Sequence, residues 1–178
     1  IVLCSVMHEV FSYDGGWPAW NKVIDEAARA LEPGGRLIVR DGVAPHTPQG
    51  SASLLVTDPH TEALVRRYNA MTPFHDLVLH AEPNPGSAKA LFSGTRLAVA
   101  EAALTVNWGA ESLPRESQER YILATSGEYA QRVMDDRPFD LLRSQSHVQP
   151  DPREHLDAPL RFLNPRRRPE GVLYGRSA

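Results

Sequence analysis

Residues 17–41 constrain the fold of this chain more than any other stretch. Trp20, Val23, Ile24, Ala27, Ala28 and Leu31 repeat at the i, i+3, i+4, i+7, i+8, i+11 spacing of one apolar helix face. Pro18 suits the first turn of that helix, where a missing amide donor costs nothing. Glu32-Pro33-Gly34-Gly35 stops it, because Pro33 cannot donate and either glycine can take the positive φ of a helix end. Leu37, Ile38 and Val39, within Arg36 to Asp41, then form the short continuous apolar run of a strand covered on both faces. The opening residues, Ile1, Val2, Leu3, Cys4, Ser5, Val6 and Met7, read the same way, as a buried strand already under way at residue one, followed by a turn at Asp14-Gly15-Gly16. Strand, helix and strand with a crossover of this length predict parallel pairing, right-handed in about 98% of such units, so both strand ends should share one edge of an α/β sheet.

Beyond the second strand the pattern is looser. Residues 43–49 read as proline-bearing loop, and Asp58-Pro59 opens a second helix through Ala70, with Asp58 as its cap and Pro73 beyond its end. Leu77, Val78 and Leu79 fit either a strand or a helix turn. Gly94 to Thr105 reads as a tightly packed helix of small apolar residues, leaving at Asn107-Trp108-Gly109. Pro114 is expected to start another helix, and Thr125-Ser126-Gly127-Glu128 fits a capping box before a helix through about Asp135. Phe139 to Ser146 and Gly171 to Arg176 are the last strand candidates, separated by a proline-rich irregular connection over 147–170.

Composition narrows the class. With 178 residues, 42% hydrophobic and 23% charged, the chain matches one ordinary globular domain and not a disordered tail, fibrous repeat or disulfide scaffold. Nineteen Lys and Arg against 22 Asp and Glu give net −3, so no global field draws nucleic acid or an anionic membrane. Arg166-Arg167-Arg168 reads as a solvated loop or a local phosphate contact. The single cysteine, Cys4 among apolar neighbours, is expected to be a buried thiol in a reducing compartment, and the cytoplasm is the expected location. No apolar run approaches the roughly 18 residues of a membrane span. No metal is expected: His8-Glu9 departs from the HExxH zinc motif because position 12 is Ser12, and the other histidines lack a ligand spacing.

The first strand ending in Ser5-Val6-Met7-His8-Glu9, together with Ala28-Arg29-Ala30-Leu31-Glu32-Pro33-Gly34-Gly35-Arg36-Leu37-Ile38-Val39-Arg40-Asp41, resembles class I S-adenosylmethionine-dependent methyltransferases. The match covers residues 1–43 well and the remainder loosely. The resemblance implies an α/β, Rossmann-like methyltransferase sheet in which these are the fourth and fifth strands, residues 126–178 supply the last two, and residues 44–125 form a helical insertion or lid. It also implies the cofactor S-adenosyl-L-methionine and transfer of its methyl group to an acceptor expected to be a small molecule. The family's glycine-rich loop and ribose-binding acidic residue have no counterpart here, and Gly15-Gly16 follows the wrong strand to replace the loop. The expectation is therefore an amino-terminally truncated domain, inactive alone, belonging to a longer protein. The rival expectation is a non-catalytic, degenerate methyltransferase-like interaction module.

By the resemblance, Cys4, Ser5 and Val6 would face the cofactor, with ordinary strand-end residues as the alternative. His8 and Glu9 would stand where the acceptor approaches. His8 is either a proton acceptor, its ordinary pKa of about 6.5 lying near neutrality, or a structural side chain bonded to neighbouring backbone. Tyr13 is an acceptor-side wall or a turn aromatic. Asp41, ending the fifth strand, is a substrate ligand or a turn residue before Gly42. Asn107, Trp108 and Glu111 either line an acceptor pocket in the insertion or pack beneath it.

Overall fold

A computed structural model describes residues 1–44, 47–80 and 90–145, and the backbone of 160–163. The described elements run β1 (Val2–Cys4), α1 (Met7–Asp14), α2 (Trp17–Ala30), β2 (Ile38–Arg40), β3 (Ser51–Val56), α3 (Pro59–Met71), β4 (Val78–His80), β5 (Ala90–Thr95), α4 (Arg96–Val106), α5 (Gly109–Glu116), α6 (Ser126–Met134) and β6 (Leu160–Leu163). The fold is mixed α/β, with two small sheets and six helices among the described residues. The chain divides into two compact units, residues 1–44 with 119–147 and residues 45–118 with 148–178.

In the first unit β1 and β2 pair in parallel, Val2 opposite Ile38 and Cys4 opposite Arg40, as the strand, helix and strand pattern predicts. The helix between them carries Trp20, Ile24 and Ala27 on its buried face and ends at Leu31, with Gly34 at φ 81° in the turn that follows. Three expectations need correction. The opening strand stops at Cys4 rather than Met7, because Ser5 takes φ 51° and turns the chain into α1, a helix the sequence pattern did not suggest. Neither strand is covered on both faces. Leu3, Leu37 and Val39 pack against the core, while Val2 and Ile38, directly opposite each other, are 64% and 54% exposed. Side chains alternate faces along a strand, and α2 covers only one of them. Cys4, expected to be buried, is exposed for the same reason.

The core of this unit is aromatic. Trp20, Met7, Ile24, Leu123, Ala124 and Tyr129 are buried together, and Trp20 makes edge-to-face contacts with Trp17 and Tyr129 at 5.6 and 5.9 Å. Helix α6 begins with the anticipated capping box: the Thr125 hydroxyl accepts from the Glu128 amide, and the Glu128 carboxylate accepts from the Thr125 amide. The strand expected over Phe139 to Ser146 is not formed over its described part, 139–145, where Leu141 and Leu142 stand exposed. Gly171 to Arg176 and the three arginines at 166–168 lie outside the described residues.

In the second unit the expected helical insertion is instead built around an antiparallel sheet of order β4-β5-β3-β6. Strand β6 falls within the stretch expected to be irregular and pairs with β3, Leu54 opposite Phe162. Leu54, Val56 and Phe92 from the sheet pack with Leu64, Val65 and Tyr68 of α3 and Val99, Ala102 and Ala103 of α4. Gly94 and Thr95 end β5 rather than opening a helix. A Cβ at Gly94 would meet a Leu77 methyl at 2.9 Å, so a larger residue there would displace the Leu77 side chain, and the Thr95 hydroxyl caps α4. Pro114 sits inside α5 rather than at its start. Helix α3 follows expectation, with Asp58 Oδ1 accepting from the Thr61 amide at 2.9 Å. None of the described helices is long and apolar enough to cross a membrane.

Candidate functional site

Parallel pairing brings the residues that follow β1 and β2 to one edge of their sheet, which is where open α/β sheets bind ligands. His8, in the first turn of α1, meets Asp41 there. The Asp41 Oδ1 atom lies 2.6 Å from His8 Nδ1, while Oδ2 accepts from the His8 amide at 2.9 Å. Val6, at the helix N-cap position, offers no side-chain bond to the free amides of the first turn, so Asp41 supplies that bond from the neighbouring strand. Its Oδ1 also accepts from the Gly42 amide at 2.9 Å. The carboxylate therefore holds the helix end, the loop after β2 and the imidazole together. Because an ionised carboxylate only accepts, Nδ1 carries the proton and Nε2 is left to face away from Asp41.

The group facing Nε2 comes from 111 residues further along the chain. Glu119 Oε2 lies 3.8 Å from His8 Nε2, and both side chains are buried. The Tyr13 hydroxyl donates to the other carboxylate oxygen at 2.8 Å. Three contacts fix the 119–124 segment against the sheet edge. Ser12 Oγ accepts from the Arg120 amide at 2.9 Å while donating to His8 O, Gly42 forms a parallel bridge with Ile122, and the Ala44 amide donates to Ala124 O at 2.8 Å. A Cβ at Gly42 would stand 2.5 Å from Tyr121 O, so only glycine permits this approach. Tyr121 then lays its ring 5.0 Å from the His8 imidazole. Burial pulls the His8 pKa down, but the Asp41 hydrogen bond and the charges of Asp41, Glu119 and Glu9 outweigh it, and the net shift is upward.

The other expected site residues are placed as follows. Glu9 is exposed beside His8, and ligand atoms of His8, Glu9 and Glu119 all lie within 4.8 Å of one another. Spacing along the chain gives no sign of this convergence, because Glu119 comes from a distant segment. Cys4 Sγ accepts from Arg40 at 3.4 Å on the exposed side of the sheet. The Ser5 amide donates to Arg40 O at 2.8 Å, and Val6 packs into the aromatic core. Asn107, Trp108 and Glu111 belong to the second unit. The Asn107 amide donates to Ala103 O at 2.7 Å at the end of α4, Trp108 is 58% exposed rather than packed beneath a lid, and Glu111 is exposed.

Sequence reasoning missed Glu119, Ser12 and Tyr121. Glu119 carried one usable signal: it follows the last turn of α5 in a polar stretch, yet it precedes the apolar Tyr121-Ile122-Leu123-Ala124 run that packs beside β2. No family model matches the chain, and no curated protein or solved structure matches it.

Proposed function

We propose that the protein takes part in S-adenosylmethionine-dependent methyl transfer to a small-molecule acceptor, with a Rossmann-like methyltransferase sheet as its framework. The observation that carries the reading is the placement of His8 and Asp41 in contact at the carboxyl edge of two parallel strands joined by two helices and a Pro-Gly-Gly turn. In the reaction the acceptor's heteroatom attacks the sulfonium methyl, the carbon–sulfur bond breaks, and the neutral thioether leaves while the acceptor gives up a proton. Such a displacement needs the two reactants held close and in line. His8 Nε2 and Glu119 Oε2 present adjacent polar atoms to an acceptor at this edge, and Asp41 and Tyr13 hold those atoms in place.

Cys4 and Ser5 stand on the same edge as the proposed cofactor contacts; Val6, turned into the core, supports them from below. These residues form one wall of a cofactor site, since nothing in the 178 residues has the pattern of a glycine-rich loop. Calorimetric titration of the protein with S-adenosylhomocysteine tests the reading. Saturable binding with one site per chain is expected. Absence of binding to both the product and S-adenosylmethionine overturns it in favour of a non-catalytic interaction module.

A further inference from the structure

We propose that His8, Glu9 and Glu119 bind one first-row divalent transition-metal ion, Zn2+ or Mn2+, at the edge of the β1–β2 pair. The geometry fits without rearranging the fold. Two donors each about 2.1 Å from an ion stand about 3.0 Å apart at a right angle and about 4.2 Å apart on opposite sides. The separation of 3.8 Å between His8 Nε2 and Glu119 Oε2 falls inside that range; a Glu9 carboxylate oxygen lies within 4.8 Å of both, and this exposed side chain closes the remaining distance by rotation.

Burial and supporting bonds set this group apart from a chance cluster of surface acids. The His8 and Glu119 side chains are only 7% and 4% exposed, yet Nε2 and Oε2 face one another beyond hydrogen-bond distance. Each is also oriented by a second bond on its own side chain, Asp41 on Nδ1 and the Tyr13 hydroxyl on Oε1. A carboxylate on the far nitrogen of a ligating histidine fixes the ring and its tautomer and raises its basicity as a ligand.

The donor set selects the ion. One imidazole nitrogen with two carboxylate oxygens suits Zn2+ or Mn2+; Ca2+ takes six to eight oxygens and Mg2+ keeps most of its waters. Three protein donors leave at least one coordination position open, the mark of an exchangeable site rather than a structural one. That position would be available to a heteroatom of a bound small molecule. The site is defined by these side chains alone and stands whether or not the methyl-transfer reading holds.

Titration of the full chain with Mn2+, followed by the loss of the free-ion electron paramagnetic resonance signal, tests the site directly. One bound equivalent is expected, displaced one-for-one by Zn2+. Glu119→Gln and Glu9→Gln should each weaken binding tenfold or more, and Asp41→Asn by about tenfold through the histidine it orients. Glu9 is exposed, so its variant retains the fold even if the buried Glu119→Gln does not. Absence of Mn2+ and Zn2+ binding at millimolar concentration overturns the proposal, as does binding that Glu9→Gln leaves unchanged. Cofactor titration reads a different event, so failure of one reading is distinguished from failure of the other.

Discussion

The two units bury their polar groups in different ways. In the second, Glu101 and Thr105 lie one turn apart on α4, Tyr68 sits on the neighbouring α3, and Glu116 and Ser117 are adjacent at the end of α5. Burial, and then the charge of Glu101, push the Tyr68 hydroxyl well above its ordinary pKa, so it stays neutral inside the helical layer. Within α4 and at the end of α5 helix geometry sets these neighbours, and the packing of α3 on α4 adds Tyr68 to them. In the first unit, His8, Asp41 and Glu119 come from three separate segments and meet only through the sheet edge. Convergence from distant segments is what a binding site requires, whereas neighbours on one helix serve packing.

The largest expected effects compare the cores themselves. Trp20→Ala in the aromatic core and Phe92→Ala in the aliphatic core should each cost about 3–5 kcal/mol, since both rings are fully buried and truncation leaves a cavity. Urea unfolding of the two variants checks this. A loss under 1 kcal/mol for either would mean that its core collapses freely around the gap.

Asp41→Ala should come next, at about 3 kcal/mol, because it strips a buried imidazole of its charged partner and an α1 amide of its acceptor. The same urea measurement, combined with His8→Leu in a double-mutant cycle, sharpens the contrast between the units. Strong coupling between the two positions is expected, and additive losses would show that Asp41 acts only on the helix end.

The smallest effect belongs to a local feature. Glu128→Gln at the capping box of α6 should cost only a few tenths of a kcal/mol, about 0.3, since glutamine still closes the box and only a charge at the helix N-terminus is lost. Hydrogen bonds from the Thr125 amide and hydroxyl hold the Glu128 carboxyl below its ordinary value of 4.5. A carboxyl lowered in the folded state contributes stability that is fully present above its unfolded value and is lost as pH falls through the folded one. Stability measured across the acid range should therefore fall less steeply in Glu128→Gln than in the parent chain, and parallel curves would contradict this.

The legible parts of the molecule were those written in short-range pattern. The α2 face, its Pro-Gly-Gly stop, the parallel pairing across it, the Asp58 cap and the Thr125 box each depend on residues within a few turns of one another. The errors share a cause. Ser5 takes a positive φ that composition does not announce, and Gly94 reads as helix until Leu77 is seen to need its space. Pro114 was expected to open a helix whose start lies at Gly109. The contact between His8 and Asp41 was within reach, since both were expected at the same sheet edge. Glu119 was not, because its one local signal, a place just before the apolar 121–124 run, does not say that this run returns to the edge of β2.

By itself, then, the sequence determined that β1 and β2 pair in parallel and which edge they share, because periodic burial and backbone chemistry act over neighbouring residues. The tertiary structure alone decided that Asp41 holds His8, that Glu119 faces it, and that Gly42 admits the segment carrying Glu119. Those outcomes depend on where chain segments from 33 to 111 residues apart come to rest, and the energy that holds them is spread over the whole packed unit.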